Sequence, residues 1–84
     1  MNKKQQKTLQ AVFKNPVSGT ILWSDIESLL VSVGAQKYEG EGSRVKFLLN
    51  NELLVTHKPH PGKEAKKYQV RDVRNFLNLI GVKP

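Results

Sequence analysis

Two histidines, His57 and His60, are the only side chains in this chain whose ordinary titration falls near neutrality and so suits proton transfer. His57 stands near the end of a β-type segment, where cross-strand pairing or capping is the common role. His60 lies between Pro59 and Pro61. The following proline biases its backbone towards an extended form, and an imidazole on such a stiff loop at a sheet edge suits contact with a phosphate. The two histidines and the scattered acids supply neither a His-x-x-x-His pair nor a carboxylate cluster, so neither a metal nor a cofactor is expected. Gly40-Glu41-Gly42 lacks the Lys-Ser/Thr of a phosphate-binding loop and reads as a strand connection.

The cations are the second chemical resource. Fourteen Lys and Arg oppose seven Asp and Glu, a formal charge of +7. Residues 1–42 carry five basic and four acidic side chains, whereas residues 43–84 carry nine basic and three acidic. Such a field attracts polyanions by releasing their counterions. Arg44 and Lys46, then Lys58, then Lys63, Lys66 and Lys67, then Arg71 and Arg74 are expected to form one continuous basic surface. Tyr38 and Tyr68 are the only aromatics that the core does not claim. Recognition of RNA through its backbone and shape is therefore expected over stacking of single-stranded bases.

These side chains need elements to hold them. Leu9, Val12 and Phe13 have helical spacing, and Pro16 forbids continuation. Ser24 and Glu27 read as a capping box opening a helix from Ser24 to Val33, with Ile26, Leu29, Leu30 and Val33 on one face and Gly34 at its end. Gln36–Glu39 is a short strand, Ser43–Leu49 a second and Glu52–Lys58 a third, the last two joined by an Asn50-Asn51 hairpin turn. Pro59 and Pro61 lack the donor N–H of a ladder, so the chain leaves the sheet there. Val70, Val73, Phe76, Leu77 and Ile80 form one face of a closing helix that stops at Gly81. The order ααβββα predicts an α+β fold, an antiparallel three-stranded sheet with helices packed on one face. One domain is expected over 1–84, with 1–20 as an N-terminal helix and loop and 21–84 as the core. Cysteine is absent, and no apolar run approaches the ~20 residues of a membrane span. A cytoplasmic protein without membrane contact is expected.

Gly42-Ser43 opening a strand, Pro59-His60-Pro61-Gly62-Lys63-Glu64 after the hairpin and the Val73–Gly81 helix together resemble the HicA family of toxins. The motifs extend from about Gly34 to Val82. Ala11-Val12-Phe13, Trp23 and Asp25-Ile26-Glu27 further resemble an N-terminally extended branch. The resemblance implies a double-stranded-RNA-binding-like fold, an mRNA-cleaving toxin and a HicB-like antitoxin as partner. It also implies a histidine directly after Gly-Ser, where this chain has Arg44 and Val45. Arginine cannot accept a proton, but its guanidinium can bind phosphate or stabilise a pentavalent transition state. The expected nucleic-acid-binding set is Ser43, Arg44, Lys46, Lys58, Lys63, Lys66, Lys67, Arg71 and Arg74, with Arg44 and His60 as the catalytic pair of a metal-independent endoribonuclease. Two other readings are a non-catalytic RNA-binding module and an interaction module whose basic face docks an acidic partner.

Overall fold

The computed structural model describes residues 1–84, with three helices and three strands in the order ααβββα. Helix α1 (Lys3–Val12) opens with a reciprocal capping box: Gln5 N–H donates to Asn2 Oδ1 at 2.8 Å, and Asn2 N–H donates to Gln5 Oε1 at 2.8 Å. Helix α2 (Trp23–Ser32) starts differently from the expectation. Its N-cap is Leu22, and no side chain caps it. Non-local pairing overrides the local box. Trp23 N–H donates to the Lys63 carbonyl at 2.9 Å and Ala65 N–H donates to the Ile21 carbonyl at 2.8 Å, an antiparallel bridge that fixes the chain at Leu22, two residues before Ser24. Ser24 therefore lies inside the first turn, and the Glu27 carboxylate faces Lys37 instead of the helix start.

Helix α2 and helix α3 (Lys67–Leu79) end in the same way. Gly34 N–H reaches the Val31 carbonyl and Ala35 N–H that of Leu30; Gly81 N–H reaches the Asn78 carbonyl and Val82 N–H that of Leu77. Both are Schellman motifs, and the left-handed residue each requires is a glycine, at φ 103° and 79°.

Strands β1 (Gln36–Glu39), β2 (Arg44–Leu49) and β3 (Glu52–His57) form an antiparallel sheet in the order β1-β2-β3. Asn50 and Asn51 turn the β2–β3 hairpin at φ 54° and 64°, as a two-residue turn of the hairpin type demands. Alternation sorts the side chains. Val45, Phe47, Leu54 and Thr56 are buried beneath the helices, whereas Arg44, Lys46, Leu53, Val55 and His57 face outward and are exposed. A single cluster of 16 buried apolar residues draws on all three helices, β2 and β3, with Trp23 edge-to-face on Phe47 at 6.5 Å. Leu9 and Val12 of α1 belong to this cluster.

Two polar side chains close the fold. Gln69, 2% exposed, accepts from Lys66 N–H at 2.9 Å and donates through Nε2 to the His57 carbonyl at 2.6 Å and to Thr56 Oγ1 at 3.2 Å. It joins the first turn of α3 to the last residues of β3. Arg74 donates to the carbonyls of Val12 at 2.9 Å and Lys14 at 2.8 Å and to Asn15 Oδ1 at 3.1 Å, with its guanidinium 5.9 Å from the Phe13 ring centre. Those carbonyls lie at and just beyond the C-terminus of α1, so a cation there also complements the helix dipole. Gln69→Leu preserves the volume but strands the His57 carbonyl, and is expected to lower stability by about 1–3 kcal/mol, measured as a fall in the urea midpoint.

Candidate nucleic-acid interface

The strand register gives the outer face of the sheet its chemistry. Arg44 lies opposite His57, Lys46 lies between Tyr38 and Val55, and Leu48 lies between Gln36 and Leu53. One end of this face is thus cationic and carries an imidazole, and the other is apolar. Tyr38 donates its hydroxyl proton to Gln36 Oε1 at 2.7 Å along the same edge. Of the two positions after Gly42-Ser43, only Arg44 reaches this face, because Val45 is fully buried in the core.

Lys58 departs from the expected basic strip. Lys58 N–H donates to the Ser43 carbonyl at 2.8 Å, which makes 43–58 the rung next to Arg44–His57. Side chains alternate along a strand, so Ser43 and Lys58 belong with Val45 and Thr56 on the helix side. There Lys58 Nζ pairs with Glu39. Glu39 also lies 3.6 Å from Lys37 Nζ, which is 3.1 Å from Glu27 Oε2. That Glu27 oxygen accepts no directed hydrogen bond, so its contact is ionic in character. The hydrogen bond and charge of Lys58 hold the Glu39 carboxyl below its ordinary value of 4.5, and the Glu39 hydrogen bond raises Lys58 above 10.5. Both groups are open to water, so the pair is screened by salt.

The remaining basic residues divide between two places. Lys63, Lys66 and Lys67 follow the proline loop that carries His60, and the bridge to Ile21–Trp23 ties that loop to the body of the protein. Lys58 and Lys63 line a cleft of about 440 Å³ with Leu22, Trp23, Ser24, Pro59 and Gly62. Arg71 is exposed on α3, whereas the guanidinium of Arg74 is occupied by α1. The structure therefore brings Arg44 and Lys46 together with His57, and Lys63 together with the loop of His60. It places Lys58 and Arg74 in contacts of their own, and the single strip from Arg44 to Arg74 is broken at both. No three His, Asp or Glu side chains converge as a metal-ligand set. No helix is long and apolar enough to cross a membrane.

Gln69 was not among the sequence-derived site residues although it fixes the strand end beneath His57. Its spacing was the available signal, since Gln69, Val73 and Phe76 follow i, i+4, i+7 on the buried face.

A family model described as the HicA toxin of bacterial toxin-antitoxin systems matches residues 23–82. Comparisons with curated proteins and with solved structures return no match.

Replacing Lys58 by Met is expected to return the Glu39 titration upward towards 4.5, read from the carboxyl carbon by NMR. Because the folded-state value of Glu39 is depressed, its pairing stabilises the protein above pH 4.5 and fades as pH falls through the folded value. The raised Lys58 value makes the same pairing fade again as pH climbs beyond 10.5. The difference in melting temperature between the parent and Lys58→Met should accordingly be present at pH 7 and shrink at both extremes.

Proposed function

The chain belongs to the HicA family of toxins, and from that premise we propose that it binds RNA and cleaves mRNA without a metal, under the control of a HicB-like antitoxin. Family membership makes it the toxin component of a toxin-antitoxin system, and members of this family pair with HicB antitoxins. The observation that carries the RNA reading is the outward cationic end of the sheet, where Arg44 and Lys46 project from adjacent outward positions of β2 with no acidic partner.

In this reading Arg44 binds the scissile phosphate. A guanidinium offers paired donors to phosphate oxygens and stabilises the extra charge of a pentavalent transition state. His60 supplies proton transfer from its tethered loop. Lys46, with Lys63, Lys66, Lys67 and Arg71, adds contacts to the flanking backbone, and Ser43 orders the strand entry behind Arg44. Lys58 adds to the field at the cleft where an RNA phosphate competes with Glu39 for its ammonium. Arg74 contributes positive potential while its donors hold α1. An acidic surface on the antitoxin would meet the same cations, so binding of antitoxin and RNA would compete electrostatically.

Purified protein incubated with end-labelled RNA in EDTA tests the reading. Cleavage is expected, reduced about 10²–10⁴-fold in His60→Ala and weakened in both binding and rate in Arg44→Ala. RNA that stays intact yet binds with steep salt dependence would replace the enzyme reading by a non-catalytic RNA-binding module. Absence of RNA affinity at moderate salt would leave docking to the antitoxin as the role of the basic face.

A further inference from the structure

Resting on the ribonuclease reading above, we propose that His57 is the general base of the reaction, taking the 2′-hydroxyl proton of the RNA while Arg44 beside it holds the scissile phosphate. Four observations converge on this pair. Arg44 and His57 are direct cross-strand partners. The hydrogen bond from Lys58 N–H to the Ser43 carbonyl makes the neighbouring 43–58 rung the hydrogen-bonded one. The 44–57 rung is then of the non-hydrogen-bonded kind, in which opposed side chains come closest, with Cβ atoms about 4.5–5.5 Å apart. Both residues are exposed, and the neighbours Val45 and Thr56 are buried, so the imidazole and the guanidinium leave the same face of the sheet.

The third observation concerns what is engaged. The His57 carbonyl is gripped by Gln69, but its side chain enters no hydrogen bond or ion pair and is free to meet a ligand. The fourth is rigidity. The buried Gln69 amide grips the His57 carbonyl and the hydrogen-bonded 43–58 rung holds the next residue, a rigidity that a group abstracting a proton within hydrogen-bond reach requires. His60, by contrast, projects from the loop after the sheet has ended.

The two histidines then divide the work. A neutral His57 imidazole accepts the proton of the 2′-hydroxyl as the O2′–P bond forms. The P–O5′ bond breaks, and the departing oxygen takes a proton from a protonated His60. The products are a 2′,3′-cyclic phosphate and a 5′-hydroxyl. The two imidazoles return to their starting states by proton exchange with solvent, so no oxidant, metal or further reactant enters.

The experiment compares cleavage of end-labelled RNA in EDTA by the parent and by His57→Ala, without and with free imidazole. His57→Ala is expected to lose about 100-fold or more in cleavage rate, the lower end of what a general base supplies, with RNA affinity changed less than about threefold. Free imidazole added to His57→Ala should restore part of the rate. A His57→Ala protein that cleaves within about tenfold of the parent would overturn the proposal. So would a loss that imidazole does not relieve, since that assigns His57 a structural role. A parent protein that leaves RNA intact removes the ribonuclease reading itself, and this inference with it.

Discussion

One buried amide holds the last strand and the last helix in register. Gln69 sits where the last strand ends and the last helix begins, and its three hydrogen bonds reach the Lys66 N–H, the Thr56 hydroxyl and the His57 carbonyl. A primary amide can donate and accept at once, which an apolar residue of equal size cannot do. The cost of leaving a buried carbonyl unpaired is what makes the junction specific: any rotation of α3 that lost the Gln69 contact would strand that group. The apolar face of α3, from Val70 to Leu77, is thereby aimed at the sheet, and the loop that precedes it is drawn against Ile21–Trp23.

With the sheet so anchored, strand alternation decides which charges act together. Proximity in sequence does not. Arg44 and Lys46 share the open face, while Lys58, one residue beyond β3, turns to the other side and enters a chain of alternating charges with Glu39, Lys37 and Glu27. The same alternation distinguishes the two positions that follow Gly42-Ser43. Position 45 is committed to the core, so position 44 alone could present a side chain to a ligand, and there the protein has an always-charged guanidinium.

Much of this was legible in the sequence because it is local. Asn50-Asn51, Gly34 and Gly81 each occupy the left-handed conformation that their types favour, and the Val70–Leu77 spacing names the buried face of α3. The family motifs from Gly34 to Val82 lie within the matched residues 23–82. What the sequence concealed is non-local. The Ser24 and Glu27 box is sound as a local signal, yet the backbone bridge to Lys63–Ala65 determines where α2 starts. Arg74 reads as a solvated cation on the polar face of a helix, and only the packing of α1 alongside gives it three acceptors. Asn2 and Gln5 form the reciprocal box that spacing alone could have revealed, with asparagine and glutamine in place of the commoner serine and glutamate.

The grip of Arg74 on α1 spans 62 residues of sequence. During synthesis, helix α1 and the β2–β3 hairpin emerge long before the side chain that fastens the former, and before the helix that covers the inner face of the latter. Long-range contacts of this kind are made last, after shorter loops have closed. A ribosome-bound fragment therefore carries a half-covered sheet and an unfastened first helix until α3 has left the exit tunnel. The fold is complete only once α3 is in place, so the outward face of the sheet takes its shape from a helix that packs on the opposite side.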